Sequence, residues 1–262
     1  MWTQLLLLLA LFSVTLAALP EGVQLLGRFL ELNGGYAADW SGSTIRLLVQ
    51  ATASNPSVTL KFQSDDNFNK FFVGVNVDCQ DGGKVEVNKN ALVFTYSLPA
   101  AQAGQVIDVS FVKITEASNG DATGRMIIEG VSASNAEILQ ATDPAAANHV
   151  SACSPPTQQS ILFVGDSITA AYGVDGTPPC SYSASSQDVR HSYALLLASQ
   201  FQLKYQVVAW SGKGVVRNYG DVNQVSVNPM PVYYNRTNAI MPDSFYNPRS
   251  FSPKVVVIML GT

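Results

Sequence analysis

Between Val23 and about Gly130 apolar and polar residues alternate in short runs, most cleanly in Ser57-Val58-Thr59-Leu60-Lys61-Phe62. A period of two sends successive side chains to opposite faces, so each run reads as a strand with one face buried. The β-branched and aromatic content of these runs points the same way. Strands are predicted over residues 23–29, 44–51, 57–62, 71–77, 84–87, 91–97, 106–114 and 125–130. Asn33-Gly34-Gly35, Asp81-Gly82-Gly83 and Asn119-Gly120 supply turn signals between them. Many short strands without a helical period predict an all-β sandwich, most simply a jelly roll, over residues 20–140.

The pattern changes near residue 155. Residues 141–159 are rich in Ala, Ser, Pro and Asn, and Ser154-Pro155-Pro156 interrupts regular structure, which marks a linker. Ile161-Leu162-Phe163-Val164 is apolar without alternation, as suits a strand covered on both faces of a parallel sheet. Residues 192–202 read as a helix, Gln206-Val207-Val208-Ala209 as a second strand, and the run from Val255 to Leu260 as a third. Strands alternating with a helix predict an α/β layer over residues 160–262.

Composition narrows the functional classes. Charged residues make up 13% of the 262 residues and hydrophobic ones 47%, which argues against disorder over most of the length. The net charge is -4 and no cluster of Lys and Arg occurs, which argues against a nucleic-acid binder that tracks phosphates. The histidines are His149 and His191, and the cysteines Cys79, Cys153 and Cys180. With no CxxC and no HExxH, a zinc site has little to be built from, and neither metal nor cofactor is expected. An unbroken apolar run from Leu5 to Phe12, followed by Ala17 and Ala18, predicts a secretory signal peptide over residues 1–18, although its first residues carry no Lys or Arg. The run is well short of the ~20 residues that span a bilayer. A secreted monomer is expected, with no membrane span. An oxidising compartment allows one disulfide and one leftover cysteine; Cys153 and Cys180 are the nearer pair, with Cys79 simply buried. Asn235-Arg236-Thr237 is either a glycosylation sequon or a plain polar turn.

Each strand of the second half runs into small and polar residues: Gly165-Asp166-Ser167 after the first, Ser211-Gly212-Lys213-Gly214 after the second, Gly261-Thr262 after the third. In an open parallel sheet the carboxyl ends of the strands share one edge, where ligands bind. A serine at a tight turn into a helix would be exposed there, with helix N–H groups beneath it favouring negative charge. A glycine would let a backbone N–H approach an oxyanion.

These residues carry a resemblance. Phe163-Val164-Gly165-Asp166-Ser167-Ile168-Thr169 resembles the first block of the SGNH (GDSL-type) hydrolases, and Ala209-Trp210-Ser211-Gly212-Lys213-Gly214 with Val215-Val216-Arg217-Asn218-Tyr219 resembles the second. Val257-Ile258-Met259-Leu260-Gly261-Thr262 is similar to the start of the third. The Arg217-Asn218 extension, with Leu26-Gly27-Arg28-Phe29 and Trp40-Ser41-Gly42-Ser43 in the first domain, narrows the match to carbohydrate esterase family 2, in which a jelly roll precedes an SGNH domain. The resemblance implies a secreted serine esterase of the acetylxylan esterase kind, acting on acetylated polysaccharide or oligosaccharide. It makes Ser167 the nucleophile and the N–H groups of Ser167 and Gly212 the oxyanion donors, with Gly214 as the competing glycine. Asp166 reads as a helix N-cap, Arg217 and Asn218 as anchors of their turn, and Trp210 as core or as a sugar contact.

The same resemblance implies an asparagine immediately after Thr262 and a later histidine base, neither of which is in these 262 residues. His149 lies in the linker and His191 just before the helix, so neither fits the base. The sequence therefore reads as a fragment of a longer esterase, inactive as it stands. The alternative is a non-catalytic secreted carbohydrate-binding protein with a remnant esterase domain. A lipase or thioesterase of the same superfamily is disfavoured because no apolar lid-like segment occurs.

Overall fold

A computed structural model describes residues 19–64, 69–119, 122–149, 159–179 and 182–261. The strands are β1 (Gln24–Leu26), β2 (Leu30–Leu32), β3 (Gly35–Ala38), β4 (Thr44–Ala51), β5 (Ser57–Gln63), β6 (Lys70–Val77), β7 (Gln80–Asn88), β8 (Val93–Ser97), β9 (Val106–Lys113), β10 (Ser118–Asn119), β11 (Ala122–Thr123), β12 (Met126–Ser134), β13 (Ala136–Ile138), β14 (Ser160–Gly165), β15 (Lys204–Ala209) and β16 (Val255–Met259). The helices are α1 (Pro144–Asn148), α2 (Tyr193–Gln200) and α3 (Met230–Tyr234).

The first half forms two antiparallel sheets, β1-β4-β9-β6-β7 with β13 also on β4, and β2-β3-β12-β5-β8. The alternation in the sequence does the work. Val58, Leu60 and Phe62 of β5 point inward with Ile45, Leu47 and Val49 of β4, and all belong to one core between the sheets. The sandwich has more strands than the alternation shows, because β2, β3 and β13 are only three or four residues long. Residues 23–29 hold a strand only at Gln24–Leu26. The turn signal at Asp81-Gly82-Gly83 is misleading: these residues lie inside β7, with Asp81 paired to Asn76. The reversal falls one step earlier, at Asp78 (φ 47°) and Cys79 (φ 66°), both left-handed as a two-residue hairpin turn demands.

Cys79 is exposed and disulfide-bonded, not buried and free. Cys79 is therefore not the leftover cysteine. Cys153 and Cys180 themselves lie outside the described residues, as do the signal segment, residues 150–158 of the linker and Thr262.

The second half is a three-stranded parallel sheet in the order β15-β14-β16. Every residue of β14 is buried, and its two faces serve different cores. Ile161 and Phe163 pack with Ala194, Leu195 and Ala198 of α2, whereas Leu162 and Val164 pack with Met230 and Tyr233 of α3. That two-sided burial explains the absence of alternation. Helix α2 starts where Ser192 accepts the N–H of Leu195 at 3.3 Å, a cap worth ~1 kcal/mol.

The sandwich is built into both of these cores. Phe72, Val112 and Ile114 join the first, and Trp40 and Ala117 the second. Buried polar ties reinforce the contact. Arg28 donates to the carbonyls of Tyr234 and Arg236 and stacks on Tyr246 at 3.8 Å. Asp39 accepts the N–H groups of Ala239 and Ile240 at 2.8 and 3.0 Å.

Candidate active site

Strand register brings the predicted site residues together. Gly165 of β14 is level with Ala209 of β15 and Met259 of β16. Two hydrogen bonds close the strand ends onto one another: Trp210 N–H to Gly165 O at 3.1 Å, and Asp166 N–H to Met259 O at 3.3 Å. Ser167 and Gly212 therefore each follow the end of an adjacent parallel strand, at the same sheet edge. Ser167 is half-buried, and its hydroxyl has no hydrogen-bond partner among the described residues. The N–H groups of Ser167 and Gly212 likewise have no acceptor among them. N–H groups without an acceptor among the described residues are the kind of donor that a tetrahedral oxyanion requires.

Gly214 is not equivalent to Gly212. Its N–H is spent on the side chain of Asn218 at 3.1 Å. Asn218 also donates to Asn228 O at 2.9 Å, and Arg217 donates twice to Asp221 O. Both residues hold their own turn. Gly212 has φ +76°, a conformation that favours glycine. Its carbonyl accepts the N–H of Tyr219 at 2.9 Å, and the Tyr219 side chain is exposed.

The expected helix behind Ser167 is absent. Residues 167–175 form successive turns, with Ala170 N–H bonded to Asp166 O and Tyr172 N–H to Ser167 O. Asp166 is buried and accepts the N–H of Ile168 at 3.1 Å, so it caps a turn rather than a helix. Ala171 at φ +64° bends the chain away before a helix can propagate. Negative charge at Ser167 thus faces individual N–H groups and no helix dipole.

Neither histidine is bonded to Ser167. His149 ends α1, whose Ala146 shares a small cavity with Gly22, Val23 and Leu139 of the sandwich. His191 Nδ1 lies 2.7 Å from Asp175 Oδ1, and Asp175 Oδ2 accepts Lys84 Nζ at 2.6 Å. Burial alone would raise the Asp175 carboxyl, but hydrogen bonds from Lys84 and His191 outweigh it and hold the group below the usual range. Asp175, Asp188 and His191 bring ligand atoms within 4.8 Å of one another. Lys84 and the bidentate Arg190 already neutralise the two carboxylates, so a cation would have to displace them.

Sequence reasoning left Trp210 open between core and sugar contact, and missed two further contributors. Trp210, half-buried, donates its indole N–H to Ser118 O at 2.7 Å and packs edge-on to Tyr233 at 4.8 Å, so it belongs to the wall between the two halves. Glu116, 1% exposed, accepts the N–H of Ser211 at 2.5 Å. Gln187, fully buried, donates to Ala170 O at 2.7 Å. The last two are separated by some 70 residues and announced by no motif; only tertiary contact joins them.

No family model matches the chain. The cellulase/esterase CelE of Acetivibrio thermocellus is 30% identical over 238 residues, 89% of this chain and 25% of that protein. An acetylxylan esterase / glucomannan deacetylase of Cellvibrio japonicus is 30% identical over 215 residues, 79% of this chain and 51% of that protein. A solved family two carbohydrate esterase from Clostridium thermocellum, in complex with cellohexaose, superposes with a TM-score of 0.73 at 28% identity, covering 92% of this chain and 66% of that one. The chain thus spans a quarter to about half the length of these curated relatives.

Proposed function

We propose that this chain, a relative of the family two carbohydrate esterases along most of its length, carries the nucleophile and two oxyanion donors of a secreted serine esterase that removes acetyl groups from polysaccharide. The observation that carries this is that the N–H groups of Ser167 and Gly212, at adjacent strand ends, and the Ser167 hydroxyl have no hydrogen-bond partner among the described residues. In the reaction Ser167 Oγ attacks the acetyl carbonyl carbon. The carbonyl oxygen takes up negative charge against the two N–H groups, the sugar oxygen leaves as a hydroxyl, and water releases acetate from the acyl-serine. The exposed ring of Tyr219 offers an apolar face for a pyranose next to Gly212. The fold this reading assigns is a jelly roll followed by the first strands of an SGNH domain, in a single-chain protein without cofactor.

A serine hydroxyl needs a general base at neutral pH. The Asp175 contact of His191 and the position of His149 at the end of α1 support neither as that base. We assign it to a histidine block outside these residues, so the 262-residue chain alone should be nearly inactive. The test uses p-nitrophenyl acetate and acetylated xylan, with the 262-residue chain and a form carrying that block. The longer form should turn over both substrates, and Ser167→Ala should reduce it to background. Full turnover by the short chain would reject the missing-base assignment. Activity retained in Ser167→Ala would reject Ser167 as nucleophile.

A further inference from the structure

The sandwich reaches the catalytic edge through the segment just after β9. Lys113 is fully buried, and its Nζ donates to the carbonyls of Thr115 and Glu116 at 2.7 and 3.1 Å, which folds this segment back on itself. Two links leave Glu116 from that fixed point. Its carboxylate accepts the N–H of Ser211, the residue before the oxyanion glycine Gly212. Its own N–H donates to Gln187 Oε1 at 3.3 Å, and Gln187 Nε2 donates to Ala170 O at 2.7 Å, three residues past the nucleophile. One buried residue of the sandwich is therefore tied both to the turn that carries Ser167 and to the turn that carries Gly212.

We propose that Glu116 is a positioning residue that sets the spacing and orientation of the two oxyanion donors, and that the sandwich is thereby part of the catalytic apparatus. This rests on the esterase reading above. The physical case is one of geometry. Ser211 Oγ is buried without a partner, so its N–H to Glu116 is the polar anchor of the residue among the described contacts. Gly212 follows at φ +76°; Tyr219 N–H holds its carbonyl at 2.9 Å, but its own N–H has no acceptor among the described residues. The direction is inherited from the peptide before it. A hydrogen bond to a carboxylate is stronger than one to a neutral acceptor. Trp210 Nε1–H to Ser118 O adds a second tie from the same segment to the same turn.

The test compares Glu116→Ala and Glu116→Gln with the parent, in the catalytically competent form of the protein. Glutamine keeps an acceptor oxygen of the same reach; alanine removes it. Glu116→Ala should lower kcat for p-nitrophenyl acetate about 100-fold with little change in KM, because a small displacement of donors is felt in the transition state. Glu116→Gln should recover most of that loss. Amide hydrogen exchange gives a readout independent of turnover. The Ser211 N–H should lose protection in Glu116→Ala and keep most of it in Glu116→Gln, with the β4 and β9 amides unchanged in both. Unchanged exchange at Ser211 in Glu116→Ala would overturn the proposal whether or not the protein is an esterase. So would a full kcat in Glu116→Ala while Ser167→Ala is inactive. If Ser167→Ala keeps its activity, the esterase reading has failed instead, and exchange alone then judges Glu116. Equal losses of kcat and of protection throughout the sandwich would show general unfolding and reject a positioning role.

Discussion

Replacing Gly165 by alanine should destabilise the protein through space alone. Gly165 is an ordinary strand residue with no left-handed φ, so conformational freedom is not the reason for a glycine here. An alanine Cβ would lie 1.9 Å from Thr169 Oγ1, 2.4 Å from Thr169 Cβ and 3.0 Å from Met259 O. Thr169 is fully buried and its hydroxyl is held 2.9 Å from Tyr193 OH, while the Tyr193 ring meets Phe163 edge-on at 5.9 Å. Strand β14 is bonded on both sides, so it cannot retreat either. Overpacking of this kind costs ~1–3 kcal/mol, and losing the Thr169–Tyr193 hydrogen bond adds ~1 kcal/mol. For a protein of this size ~1 kcal/mol moves Tm by roughly 2–4 °C, so Gly165→Ala should melt roughly 4–16 °C lower in calorimetry. Thr169→Gly removes both clashing atoms. The double variant Gly165→Ala/Thr169→Gly should therefore be more stable than the sum of the two single changes. A single Gly165→Ala that melts with the parent, or strict additivity in the cycle, would refute the steric account.

Gly212→Ala has room for its Cβ, since the nearest heavy atom, Tyr219 Cβ, is 3.8 Å away; its burden is φ +76°, worth ~1–2 kcal/mol in a non-glycine residue. It should cost less than ~10²-fold in kcat, and a loss as complete as that of Ser167→Ala in the same ester assay would contradict this. Burial lowers Lys113 from 10.5 to about 8, against the opposing pull of Asp39 and Glu116. Between those values the unfolded chain binds a proton that the folded one lacks, so folding should gain stability as pH rises through that window. Urea titrations at pH 8 and 10.5 should show the parent gaining ~3 kcal/mol relative to Lys113→Met; a constant difference would contradict it. Limited proteolysis should cut first between residues 141 and 159, yet the pieces should stay together without denaturant, because Phe72, Val112 and Trp40 share cores with the second half. Gel filtration that separates the cut fragments would count against this.

Local patterning carried much of the fold. A period of two at residues 57–62 suffices to place Val58, Leu60 and Phe62 on one face, and an unbroken apolar run at 161–164 suffices for a strand covered on both sides. Short strands such as β2 and β13 escape such reading because three residues hold too little of a period. The helix expected after Ser167 failed for a local reason that composition does not show, a left-handed Ala171. That Ser167 and Gly212 follow adjacent strand ends was legible because parallel strand ends share an edge whatever their separation along the chain.

What the sequence determined by itself is therefore the longer strands and the passage from an antiparallel to a parallel sheet. The tertiary structure decided how the halves meet: that Cys79 is bridged, that Lys113 is buried against two carbonyls, and that Glu116 reaches Ser211 while Gln187 reaches Ala170. The reason is physical. Periodicity and turn chemistry act over a few residues, where backbone geometry dictates which side chains share a face. A carboxylate that finds an N–H 95 residues away does so only after packing has excluded water and left that donor no other partner.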